Sequence, residues 1–242
     1  MIKKAVTVLI LAQALSAGTA HCQNASSRTW KNTAEFSLVS ANGNSKTATT
    51  AAKDTFVYFW RQITFRVIVA GLGTESSGKM TAEQYNASEK VLHNFGGKNY
   101  ICEKVLWERD RFAGFWNRYE LTVALGREVI SLQKDKLIVE FGSSYIDEER
   151  ISDPHKDFAS SRIYWEFTHK VSATSQFSQD FKYLTNFREF KDYRIYAETA
   201  LTAAISTRFS LKTSFLWKRT NRPPRGFLKD DTTTMASIVM KF

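Results

Sequence analysis

Beyond His21, the histidines are His93, His155 and His169. A histidine beside an activated serine would make a hydrolase, and such chemistry at a membrane face would act on lipid or peptide. His169 shares the alternating position of Trp165 and Phe167, which reads as interfacial, and the sequence supplies it no evident orienting partner. His155 lies in the segment DPHKD between Asp153 and Asp157, close to Asp147, Glu148 and Glu149. An Asp/His site is conceivable there, and so is a weak Ca²⁺ site built from hard oxygen ligands. Polar loops of this kind are also simply solvated. The GLG at 71–73 lacks the strand–turn–helix setting of a phosphate loop. Cys22 and Cys102 give neither a disulfide framework nor metal-ligand spacing. No cofactor is implied.

A second set of chemically capable residues is more regular. Arg118 and Glu120, Arg162 and Glu166, Asp180 and Lys182, and Arg194 and Glu198 occupy alternate positions, with the apolar residues of each segment on the other parity. Glu140, Lys170 and Lys212 continue the pattern. Successive side chains of a strand point to opposite faces, so these charges share one face of a sheet.

The elements that must position them are strands throughout. Each run alternates and is bounded by turn residues. TWKNTAEFSLVS sets Trp30, Phe36 and Leu38 against Lys31, Thr33 and Glu35, and Asn42-Gly43-Asn44 then signals a hairpin. NRYELTVALGREV sets Leu121, Val123 and Leu125 against the charged parity. SRIYWEFTHKVS does so with Ile163, Trp165 and Phe167, and RFSLKTSFLWKR with Phe209, Leu211, Phe215 and Trp217. The last run, TTTMASIVMKF, ends on Phe242 with Met240 and Ile238 on its parity. About twelve strands are counted, and the parity of residues 82–95 stays open. The segments near 75–82, 148–157 and 220–231 read as long connections on one end, and those at 96–99, 133–136 and 172–174 as short turns on the other.

The fold class predicted is therefore all-β: an antiparallel transmembrane β-barrel of about 12 strands over residues 29–242, closed by the strand ending in Phe242. An even strand number and loops sorted by length are rules of bacterial barrels. The 242 residues are 43% hydrophobic and 14% aromatic, yet mean hydropathy is −0.33, as alternation requires. Only 3 prolines occur, and proline breaks sheet ladders. Lys3 and Lys4, then AVTVLILAQALSAGTA, read as a secretory leader over residues 1–20, with a short tail over 21–28. The formal net charge of +10 is spread along the strands, not gathered in a patch, so no nucleic-acid partner is expected. A soluble sandwich also alternates. The leader, the aromatic residues near strand ends (Trp30, Trp107, Trp165, Tyr193, Trp217) and the opposite charges on adjacent strands favour a closed barrel.

The quoted stretch WKNTAEFSLVSANGNSKT, together with LWERDRFAGFWNRYELTVALG, LIVEFGSSYIDEE and RFSLKTSFLWKRTNRPPRGFLKDDTTT, resembles a bacterial family of unknown function that includes proteins described as salt-induced outer-membrane proteins. The resemblance covers nearly all of the chain beyond the leader. At Leu125-Gly126-Arg127 the chain departs from the family, which tends to have a second glycine there. The resemblance implies an outer-membrane barrel and no defined activity.

The sequence therefore predicts a lumen lined by Arg118, Glu120, Glu140, Arg162, Glu166, Lys170, Asp180, Lys182, Arg194, Glu198 and Lys212. It predicts a lipid-facing or interfacial surface of Trp30, Phe36, Leu121, Val123, Leu125, Ile163, Trp165, Phe167, Phe209, Leu211, Phe215 and Trp217. Ile238, Met240 and Phe242 form the expected closure and assembly signal. The expected partners are outer-membrane lipid, the barrel-assembly machinery and small ions or solutes. A narrow pore or a structural, stress-related envelope component is the leading expectation. A barrel enzyme acting on surface lipid or peptide and a soluble periplasmic binding protein are the alternatives.

Overall fold

A computed structural model describes residues 29–41 and 47–242; the expected leader, the tail and the Asn42-Gly43-Asn44 hairpin lie outside them. Alternation is converted into twelve strands: β1 Trp30–Ala41, β2 Thr47–Trp60, β3 Ile63–Ser76, β4 Lys79–Gly96, β5 Asn99–Asp110, β6 Phe115–Ser131, β7 Asp135–Arg150, β8 Lys156–Lys170, β9 Ser175–Asn186, β10 Tyr193–Ala204, β11 Phe209–Thr220 and β12 Asp230–Lys241. Each strand pairs antiparallel with its sequence neighbours, and β12 returns to β1, so the sheet is a closed barrel. The seam registers Thr33 against Lys241 and Phe36 against Ile238. The Phe242 N–H donates to the Asn32 carbonyl at 3.1 Å, and the Ser37 hydroxyl to the Ala236 carbonyl at 2.7 Å. Closure leaves no edge to pair with a second chain.

The connections differ between the two ends. At the end that holds Phe242 and the start of β1, the links are 61–62, 97–98, 132–134, 171–174 and 205–208; at the other they include 151–155, 187–192 and 221–229. We call these the terminal end and the distal end. The predicted long connection at 75–82 is instead a two-residue turn. Ser77 and Gly78 take φ of 50° and 78°, the left-handed pair that a tight hairpin uses, and this lets β3 and β4 run almost to each other. The predicted loop at 148–157 also shortens, because β7 continues to Arg150.

Register settles the parity the sequence left open. Arg66 opposes Lys90, and Lys90 opposes Lys104, so β4 turns Gln84, Asn86, Ser88 and Lys90 inward and Tyr85 and Glu89 outward. The outward faces elsewhere carry Phe36, Leu121, Val123, Leu125, Phe209, Leu211 and Phe215, all exposed. No helix among the described residues is long and apolar enough to cross a membrane, which says nothing of strands. Strands of 12 to 18 residues exceed the roughly 9–11 that span a bilayer.

Candidate functional site

The interior is where the chain's charges converge. A cavity of about 460 Å³ is lined by inward residues of all twelve strands, among them Glu35, Lys53, Arg66, Lys104, Glu108, Arg118, Glu120, Arg162, Glu166, Asp180, Lys182, Arg194, Glu198, Lys212 and Lys218. An ion taken out of water costs several kcal/mol unless paired. A same-face neighbour two residues along a strand can supply a partner, as Arg150 does for Glu148; the barrel supplies the rest by curvature, bringing strands from far along the sequence within reach.

Three carboxylates show how. Glu148 is fully buried and meets Arg118 at 3.1 Å, Arg150 at 2.9 Å and Arg194 at 2.8 Å. Glu140, also buried, accepts from Arg162 at 2.9 Å, from the Tyr100 hydroxyl at 2.8 Å and from Lys90. Glu120 meets Lys182 of β9 at 2.7 Å. Other pairs cross the lumen: Lys218 of β11 reaches Glu108 of β5 at 2.9 Å, and Arg66 of β3 reaches Glu166 of β8 at 3.7 Å. On the β1 side Lys212 bridges Glu35 and Glu198, each at 3.0 Å. Aromatic faces support the guanidinium groups, with Phe115 3.8 Å from Arg118 and Phe158 4.5 Å from Arg194, a geometry favourable to both.

The interior is not uniform along the barrel, and Ile146, Phe158 and Leu184 form a buried cluster toward the distal end. Toward the terminal end, Tyr100, Cys102 and Ala124 pack as a buried cluster with Leu92 and Ile138 against it. Two inward glycines make room. A Cβ on Gly126 would sit 2.2 Å from the Tyr100 ring, and one on Gly142 would sit 2.2 Å from the Val123 carbonyl oxygen. Ala200, Ser210 and Val239 are buried in the same half. None of these lines the cavity, which extends from mid-barrel toward the distal end.

Most of the charges expected in the lumen lie in this network. Arg118, Glu120, Arg162, Glu166, Asp180, Lys182, Arg194, Glu198 and Lys212 line the cavity, and Glu140 is buried beneath it. Lys170 is a correction. It keeps the inward parity but is the last residue of β8 and is exposed at the rim, because the barrel ends there. Glu148 is another: it reads as loop but is the inward residue of the last turn-proximal part of β7. Sequence reasoning did not put Glu35, Lys53, Arg66, Lys90, Lys104, Glu108 and Lys218 in the lumen. Glu35, Lys104, Glu108 and Lys218 carried the right alternation; Lys90 sat where parity was unreadable.

Among the expected outward residues, Trp30, Ile163, Ile238 and Phe242 are exposed. Trp165, Phe167, Trp217 and Met240 are half-buried. Trp165 stacks on Phe181 with centroids 3.9 Å apart, and Phe167 packs on Phe177 at 6.4 Å. The Trp217 indole donates to Asp230 at 3.0 Å.

The histidines stand apart from the lumen. His169 does have a partner, Asp135, at 2.7 Å across the β7–β8 register; the sequence missed it because the two are a cross-strand pair. His155 lies 3.7 Å from Asp147, and His93 is exposed near the terminal end. Among the described residues no serine or threonine hydroxyl is hydrogen-bonded to a histidine, and no cluster of three His, Cys, Asp or Glu could hold a metal ion.

Comparison with known proteins matches residues 34–242 to a family described as "Protein of unknown function, DUF481". Uncharacterized protein YdiY of Escherichia coli (strain K12) is 23% identical over 188 residues, covering 76% of this chain and 71% of that protein. Solved barrels share the fold at low identity. The translocator domain of autotransporter NalP from Neisseria meningitidis gives a TM-score of 0.53 at 10% identity, over 99% of this chain and 96% of its own. The NanC porin gives 0.52 at 8%, over 87% and 97%. The COG4313 outer membrane channel from Pseudomonas putida F1 gives 0.51 at 9%, over 88% and 95%. The fold is thus that of outer-membrane barrels.

Proposed function

The chain belongs to the family described as "Protein of unknown function, DUF481", and from that premise we propose that it is a non-enzymatic β-barrel of the bacterial outer membrane whose lumen is a narrow, charge-lined passage for small ions or solutes. A leader over residues 1–20 would export it. Its exposed apolar belt would meet lipid, and Ile238, Met240 and Phe242 would present the closing strand to the assembly machinery.

The observation that carries this reading is the lumen itself. The interior of such barrels is polar whether open or filled; here ion pairs from opposite walls border a cavity of about 460 Å³, so side chains do not fill it solid. Ion pairs bordering water set an ion's preference for the path. Two of the structurally similar proteins are a porin and an outer membrane channel, which favours passage as the use of such a lumen. The packed terminal half favours a second reading, a barrel whose role is structural and stress-related in the envelope, conducting little or nothing.

Planar-bilayer conductance of detergent-refolded residues 21–242 separates the two. The passage reading expects small, steady current steps. Arg118→Ala should shift the reversal potential toward cation preference and Glu120→Ala toward anion preference. A folded barrel silent in all three forms would discard the passage and leave the structural role.

A further inference from the structure

We propose that the lumen holds a binding site for a small zwitterionic solute, with the anionic group at Lys104 and the cationic group at Asp180. The inference rests on the lumen being reachable from solution, and it names the class of solute that the passage would take.

Strand register sorts the lumen charges by sign. Arg66, Lys90 and Lys104 are direct cross-strand neighbours on β3, β4 and β5. Glu166, Asp180 and Glu198 are direct neighbours on β8, β9 and β10. Like charges directly opposite one another on adjacent strands are destabilising, so each row depends on compensation from elsewhere in the barrel. Most of it is present. Arg66 reaches Glu166, Lys90 pairs with Glu140, and Glu198 pairs with Lys212.

The middle of the acidic row and the end of the basic row are left over. Among the described residues Lys104 makes no ion pair and no hydrogen bond, and Asp180 has no cation within 4.0 Å. Asp180 accepts the Tyr164 hydroxyl at 2.6 Å. Both residues line the same cavity.

The surroundings of each reinforce its sign. The charged groups around Lys104 are Lys90, Arg162, Lys182 and Glu120, and Glu140 holds Lys90 and Arg162. That makes four cations, with Lys104 itself, against two carboxylates. The Nε of Arg162, in a side chain only 2% exposed, also has no acceptor, and Arg162 borders the cavity. Around Asp180 the carboxylates of Glu35, Glu166 and Glu198 face Lys53, Arg66 and Lys212. That makes four carboxylates, with Asp180 itself, against three cations. Tyr164 and Tyr196 each oppose Lys182 from either side in the register, so aromatic rings flank the acidic wall, as suits an organic ammonium.

A simple anion would answer Lys104 and leave Asp180 uncompensated; a simple cation would do the reverse. A molecule carrying both a carboxylate and an ammonium group answers both, and a cavity of about 460 Å³ falls in the range that small solutes occupy.

Titration calorimetry on the refolded barrel in detergent tests this with glycine, 4-aminobutyrate and 6-aminohexanoate, and with acetate and methylammonium as single-charge probes. At least one amino acid should bind at least about tenfold more tightly than either single-charge probe. Lys104→Gln and Asp180→Asn should each weaken it about tenfold or more, the scale of one charge-assisted contact. Acetate binding as tightly as every amino acid, with no effect of Asp180→Asn, would reduce the site to a plain anion site and overturn the proposal. So would the absence of binding by all five probes. Circular dichroism on the same samples establishes that the variants are folded. Salt conductance of the same preparations separates the two readings: current without binding sinks only the solute site, and binding without current sinks only the passage.

Discussion

The terminal end and the middle of the interior obey the same alternation and end in opposite states. In the terminal half the inward positions of β5, β6 and β7 hold Tyr100, Cys102, Ala124, Gly126 and Gly142, and the result is solid packing. In the middle portion the inward positions hold Glu108, Arg118, Glu120, Lys182 and Lys218, and the result is a cavity; toward the distal end Ile146, Phe158 and Leu184 pack again beside the Glu148–Arg194 pair. The difference lies in how strands let side chains cross. Gly126 leaves room for the Tyr100 ring to lie across it and reach Glu140, and Gly142 leaves room for the β6 backbone at Val123 and Ala124. Long charged side chains instead meet tip to tip and leave space between their stems. A barrel of twelve strands is therefore solid or hollow along its length according to its inward residues, with the hydrogen-bonded wall unchanged.

The largest expected effect breaks the packed half at its charge. Glu140→Ala leaves Lys90 and Arg162 without their carboxylate in a buried setting, and stability should fall by about 3–5 kcal/mol in urea unfolding of the barrel in micelles. Gly142→Ala comes next. Its new Cβ would meet backbone, the Val123 carbonyl oxygen and the Ala124 Cα, and backbone cannot swing aside, so about 3 kcal/mol should be lost by the same measurement. Tyr100→Phe keeps the ring and deletes the hydroxyl that donates to Glu140; a loss of about 1.5–3 kcal/mol is expected for a hydrogen bond to a charged group, read as a lower unfolding midpoint. The smallest effect belongs to the open middle, where Glu35 lines the cavity. Glu35→Gln leaves Lys212 with Glu198, and the side chains there keep contact with solvent, so the change should stay under about 1 kcal/mol. A drop for Glu35→Gln as large as that for Glu140→Ala would erase the contrast between the packed terminal end and the open middle.

Much of this was legible in the sequence, and the limits are physical. Strands such as β6, β8 and β11 declare both faces because outward and inward residues differ in polarity. β4 does not, since Glu89 lies on its outward face opposite Val67 and Val105 while Leu92 lies inward. Without parity, Lys90 could not be placed, and the basic row it completes stayed hidden. Glu148 was misread because IDEER is as polar as a loop; besides Arg150 in that segment, Arg118 of β6 and Arg194 of β10 make it an interior residue, and pattern within one segment carries no information about those two. The closure of β12 on β1 was readable from Ile238, Met240 and Phe242. The unpaired state of Lys104 and Asp180 was not, because being unpaired is a statement about every other wall of the barrel.

The most direct test of the contrast uses the thiol already present. Cys102 is fully buried in the terminal half, whereas Thr233 lines the cavity. In a Cys22→Ser background, the reaction of a charged, water-soluble thiol reagent is timed for Cys102 and for a Thr233→Cys, Cys102→Ala variant of the folded barrel. The account predicts rapid modification at position 233 and none at Cys102 until the barrel is unfolded. Equal rates at the two positions in the folded protein would contradict it.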